Sequence, residues 1–196
     1  MLHILTNKFV VVLILLLAFW LRFDGIDQKY GNEIRLVGAA AEYQELAAYL
    51  VTPTVVPPPG NMPGFPLLLS VLHRLLPFEH AEIQVWTSLV CSMANIVLTY
   101  LVARRLVTST MALVTAGFVA VNPAVVENAT NGMPEEFYAV GLLLLVLVYL
   151  RFREGRDLGI RRCLIMGSLG AMLYSIRSDA VAALLPIVSA VLITQY

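Results

Sequence analysis

Apolar residues in this chain come in long unbroken runs separated by short polar breaks. Residues 9–21 form one solid apolar stretch, and VGLLLLVLVYL over 140–150 forms another. Strands of a membrane barrel would alternate over about 10 residues, whereas continuous runs of this length predict helices. A spanning helix needs about 20 mostly apolar residues. On that basis about six spans are predicted, near 4–22, 82–103, 110–126, 137–150, 163–176 and 180–194. The third run is broken near its end by Asn122-Pro123, and the fifth is rich in small residues (Gly167, Gly170, Ala171) that allow close helix approach. The fold class is therefore all-α, a single polytopic membrane domain over 1–196.

The longest non-spanning piece is 24–81, which holds seven of the ten prolines. Two surface helices are predicted within it. Leu36, Ala40, Tyr43, Ala47 and Leu50 form one apolar stripe, with Glu42 and Glu45 on another face, so this helix is expected to lie in the interface with its apolar side in lipid. Residues 64–76 are too short to cross and read as a second helix on the outer surface. Pro53 and the Pro57-Pro58-Pro59-Gly60 run stiffen the link between them.

Composition supports a membrane protein. Apolar residues make up 59% and charged residues 13%, against roughly 25% charged in soluble domains. The net charge of zero hides an asymmetry. With the N-terminus in the cytoplasm, eight of the thirteen basic residues fall inside (Lys8, Arg104, Arg105, Arg151, Arg153, Arg156, Arg161, Arg162) and eleven of the thirteen acidic residues outside. This is the orientation the positive-inside rule favours, and it places 24–81 and 127–136 outside the cytoplasm. No A-x-A-like cleavage site follows the first run, so it is expected to stay as a span. Cys91 and Cys163 lack metal-ligand spacing, as do His3, His73 and His80. No Gly-rich phosphate loop is present, and nothing in the chain implies a nucleic-acid partner. The span interiors, as drawn, hold no charge, which argues against an ion-coupled transporter.

Four short motifs in order carry a family likeness. Asn32-Glu33 follows the first span. Asn61-Met62-Pro63-Gly64-Phe65-Pro66-Leu67-Leu68-Leu69 leads into the second surface helix. Asn131-Gly132-Met133-Pro134-Glu135-Glu136 forms the outer turn after the third span, and a Gly-rich fifth span ends at Arg177. This order resembles the N-terminal half of GT-C-type glycosyltransferases, and above all glycosyltransferase family 39, with protein O-mannosyltransferases and aminoarabinose transferases among its relatives. The resemblance implies inverting transfer of a hexose or pentose from a polyprenyl-phosphate sugar, outside the cytoplasm, in cell-envelope or protein glycosylation. An acid of the first outer loop would be the general base. Asn32 stands where the family usually has aspartate, and an amide cannot take a proton in that role. That leaves Glu33, or Asp27 or Asp24 through a shifted register. Arg177 would contact the lipid phosphate. Glu135, Glu136 and Asn61 would shape the substrate site, with Asn61 replacing the family's basic residue.

No cofactor is specified: a divalent metal is neither demanded nor excluded. Membrane lipids are expected partners. Family members run to several hundred residues and this chain stops after about six spans. Acceptor recognition is therefore expected to lie elsewhere, and a partner subunit is expected if the chain is complete. Two alternatives stand beside the enzyme: a truncated or degenerate non-catalytic relative, and a transporter-like bundle.

Overall fold

The computed structural model describes residues 2–31, 34–36, 38–51, 62–153, 160–178 and 180–193. These form helices α1 (Leu2–Tyr30), α2 (Ala39–Val51), α3 (Gly64–Leu75), α4 (His80–Leu106), α5 (Ser109–Val121), α6 (Pro123–Thr130), α7 (Glu135–Arg153), α8 (Ile160–Ile176) and α9 (Ala180–Ile193), with no strand among the described residues.

α1 runs past the predicted end of the first span, through Arg22, Asp24 and Asp27, to Tyr30. Two local features allow this. Gln28 Nε2 donates to Asp24 Oδ2 one turn back, at 2.6 Å. Gly31, at φ +54°, then ends the helix, its N–H bonding the Asp27 carbonyl.

The ends of the other helices are written into their flanking residues. Glu79 and Glu82 form a reciprocal capping box at the start of α4. The Thr108 hydroxyl accepts from Met111 N at the start of α5. Asn122 Oδ1 accepts from Ala124 N at 3.0 Å, and Pro123 takes the first turn of α6, where its missing N–H costs nothing. The chain bends by 53° there. Past the expected end of the third span the chain stays helical to Thr130, and Asn131–Pro134 turn, with Gly132 at φ +69°.

Small residues bring the long helices together. Ala18, Ala116 and Ala120 are buried with Ile96 where α1, α4 and α5 meet. Leu145, Leu173 and Ala180 join α7, α8 and α9. Gly170 packs on Leu184 as expected of a small-residue face, whereas a Cβ at Gly167 would meet no side chain of the described residues within 4 Å. The surface helices also dock on protein. Ala47 of α2 is fully buried with Phe65 and Leu69 of α3 and Ile83 of α4. The α2 stripe thus faces its neighbours rather than lipid, and Leu36 packs outside the helix with Ile26, Val85 and Leu89. α3 keeps a second apolar stripe, Leu67, Val71 and Leu75, turned outward, as suits a helix too short to cross.

Large apolar side chains stand exposed on the long helices, among them Leu16, Trp20, Phe118 and Leu185. Such surface needs lipid around it. Among the described residues two helices, α1 over Phe9–Tyr30 and α4, are long and apolar enough to cross a membrane, and the bent α5–α6 pair makes a third if taken as one span.

Candidate functional site

α4 organises the polar interior. Gln84, Ser88, Ser92 and Asn95 recur every three or four residues, so they line one face, and all four are buried. In an apolar bundle such groups need partners inside the protein. Gln84 Nε2 donates to the carbonyls of Ala40 (2.9 Å) and Gly132 (2.7 Å), and the Ser88 hydroxyl donates to that of Met133 (3.2 Å). The face therefore holds the start of α2 and the 131–134 turn against α4. Lys29 bonds Asn131, and the Tyr30 hydroxyl donates to the Thr130 carbonyl, adding the end of α1 to the same turn.

Deeper along that face lies a charged network. Arg22 has no exposed surface. Its Nε donates to Ser92 Oγ at 2.8 Å, and its Nη1 donates to the carbonyls of Ala18 (3.0 Å) and Ala120 (2.9 Å). Glu136 is 2% exposed; its carboxylate accepts from Asn95 Nδ2 at 3.1 Å and is hydrogen-bonded by Ser92. A cation and an anion thus share Ser92 between α1, α4, α5 and α7. Charge is present inside the bundle after all, and the reason is the extension of α1, which carries Arg22 inward instead of leaving it in a loop. The signal was the four-residue polar rhythm of α4, masked by the apolar run around it.

The other half of the acidic pair faces outward. Glu135 Oε1 lies 3.6 Å from Arg177 Nη1, both side chains being half-exposed. The guanidinium sits 5.8 Å from the centre of the Tyr138 ring. Tyr43 of α2 stands beside this pair. Burial, and then the Glu135 carboxylate, push its phenol above the ordinary value, with Glu42 adding to that and Arg177 opposing it. Phe65 bridges Tyr43 and Phe137, with ring centres 5.9 and 5.8 Å away. Gly64 makes this closure possible. A Cβ there would lie 2.5 Å from Ser175 Oγ and 2.7 Å from its carbonyl oxygen, so the start of α3 rests on the last turn of α8, next to Arg177. Glu135 Oε2 is buried with no hydrogen-bond partner among the described residues.

Of the residues expected at the site, Arg177 and Glu135 are brought together, and Glu136 is turned inward behind them. Asp24 is half-buried and bonded to Gln28, and Asp27 is exposed; both are on α1 rather than in a loop. Glu33 and Asn61 lie outside the described residues. No group of three or more His, Cys, Asp or Glu side chains converges as metal ligands among the described residues.

Comparison with known proteins agrees with the motif order. No individual curated protein matches the chain. At the level of families, residues 57–196 match the dolichyl-phosphate-mannose-protein mannosyltransferase family. The matched stretch contains the α4 polar face, the Glu135–Glu136 pair and Arg177, and covers well over half of the chain. This integral membrane protein, all-helical over its described residues, belongs to the dolichyl-phosphate-mannose-protein mannosyltransferase family, a GT-C family of membrane glycosyltransferases.

Proposed function

We propose that this chain transfers a sugar from a polyprenyl-phosphate donor to an acceptor on the extracytoplasmic side of the membrane. The observation that carries the reading is the meeting of Arg177 from the turn after α8, Glu135 from α7 and Tyr43 from α2, in a half-exposed cluster walled by the surface helices α2 and α3. A lipid-borne donor is presented at the membrane surface, and an anionic leaving group there needs a fixed cation.

In this scheme Glu33, or Asp27 or Asp24 in its place, takes the proton of the acceptor hydroxyl. The freed oxygen attacks the anomeric carbon from the face opposite the phosphate. The sugar–phosphate C–O bond breaks with inversion, and the lipid phosphate leaves as an anion held by Arg177. Glu135 fixes the direction of the guanidinium and helps shape the acceptor side of the site. Glu136 holds the first turn of α7 from inside, and Asn61, three residues ahead of α3 in the sequence, contributes to substrate binding. The topology that serves this reaction has about six spans and a cytoplasmic N-terminus, with 24–81 and 127–136 outside.

The test is transfer from a radiolabelled polyprenyl-phosphate sugar by the purified chain in liposomes. Transfer is expected, abolished by Glu33→Gln and reduced about 100-fold by Arg177→Ala, as for loss of one charge-stabilising donor. Absence of transfer by the wild type across hexosyl and pentosyl donors would overturn the reading. Asn32, standing where the family has aspartate, favours a second one, a relative that binds the donor without turning it over. Labelled donor retained but never transferred would support that relative.

A further inference from the structure

α7 offers two side chains to Arg177. Glu135 and Tyr138 stand three residues apart, so they share one face of the helix. The carboxylate approaches the guanidinium at 3.6 Å, Glu135 Oε1 to Arg177 Nη1, longer than the about 2.7–2.9 Å of a charge-assisted hydrogen bond. An ion pair of that length sets a distance but not the orientation of the guanidinium. The Tyr138 ring adds a contact from a different direction: Arg177 Cζ lies over it, 5.8 Å from its centre, within reach of a cation–π interaction. The ring is itself held. Tyr138 packs against the buried cluster of Leu145, Leu173 and Ala180, where α7, α8 and α9 meet, and its N–H bonds the Pro134 carbonyl at 2.8 Å. Two members of that cluster also anchor the arginine backbone. Arg177 N–H donates to the Leu173 carbonyl, and the Arg177 carbonyl accepts from Ala180 N, both at 3.1 Å.

The Arg177 side chain stays 40% exposed, so a phosphate can reach it. We propose that Tyr138 is a positioning residue of the transfer site: its ring turns the Arg177 guanidinium so that the N–H fork faces the phosphate of the lipid-borne donor. This role presupposes sugar transfer from a polyprenyl-phosphate donor. Glu135 by itself would draw the guanidinium toward its own carboxylate and offset the charge. A ring face orients the cation and leaves that charge for the departing phosphate. The ring carries the effect, and the phenol hydroxyl takes no part in it.

Steady-state transfer by the full chain in liposomes, with retention of polyprenyl phosphate followed by native mass spectrometry, tests this. Tyr138→Leu should lower kcat at least about fivefold, the worth of a cation–π contact, with the donor KM held within about twofold. Tyr138→Met serves the same purpose if the leucine form does not fold. Tyr138→Phe, which keeps the ring, should restore most of the lost rate. In an Arg177→Lys background, which has already lost the planar fork, Tyr138→Leu should cost less than about twofold. Retention of polyprenyl phosphate, the leaving group itself, should fall in Tyr138→Leu and recover in Tyr138→Phe. Tyr138→Leu as fast as wild type, Tyr138→Phe as slow as Tyr138→Leu, or an undiminished cost in the Arg177→Lys background would overturn the role of Tyr138 and leave sugar transfer standing. No transfer by the wild type would overturn the transfer reading instead, and equal retention of polyprenyl phosphate by the three forms would then overturn this role as well.

Discussion

Arg22 and Glu136 are matched across the bundle through Ser92, so neither can be changed without stranding the other in a place without water. Removing one partner of a buried pair costs about 3–5 kcal/mol, whereas replacing both with apolar groups of similar size is often close to neutral. Arg22→Met and Glu136→Leu should each destabilise the protein by about that amount, and the double variant should recover most of the loss; thermal unfolding in detergent measures the cycle. The outward pair behaves differently. Glu135 and Arg177 are half-exposed, so their mutual attraction adds little to stability. Arg177→Lys keeps the charge but loses the planar fork. It should leave the unfolding temperature unchanged while sugar transfer falls by about tenfold, the value of one charge-assisted hydrogen bond. The sequence shows two adjacent glutamates. Successive residues on a helix point about 100° apart, so one of the pair is bound to face inward, but which one depends on Asn95 and Ser92 being across from it.

At the scale of the elements, the site depends on where short helices touch long ones. The start of α3 lies against the backbone of Ser175, and any side chain at residue 64 pushes the two apart. Gly64→Ala should cost about 1–3 kcal/mol as overpacking and lower transfer more than stability alone accounts for, because Arg177 follows in the same turn. Gly167→Ala, with open space around it, should be neutral or slightly stabilising; parallel melting curves and transfer assays separate the two. Asn122→Ala removes the cap of α6 and should cost about 1 kcal/mol. The Asn122-Pro123 break and the short span of α3 were readable from local residues. The end of α1 was misplaced, because Arg22 and Asp24 read as the start of a loop. Arg22 is instead hydrogen-bonded in the core to Ser92 and two backbone carbonyls, and Asp24 bonds within the helix. The apolar stripe of α2 was visible too, but periodicity cannot say whether lipid or protein covers it.

For the whole molecule, the exposed apolar side chains of α1, α5 and α9 require a bilayer, and the basic residues at the end of α4 suggest which side it faces. In a background with Cys91 and Cys163 replaced by Ala, Thr108→Cys should resist a membrane-impermeant thiol reagent in intact cells, and Asn131→Cys should react; the opposite pattern would reverse the topology. What the sequence determined by itself is of the kind local chemistry sets: helical spans from continuous apolar runs, caps and breaks from single polar residues and prolines, and membership of a glycosyltransferase family from the order of short motifs. The tertiary structure alone decided that Arg177 meets Glu135, that Glu136 turns to Arg22, and that His73 stacks on His80. A helical repeat specifies which residues share a face, but the partner of that face comes from another part of the chain, through packing that no local pattern encodes.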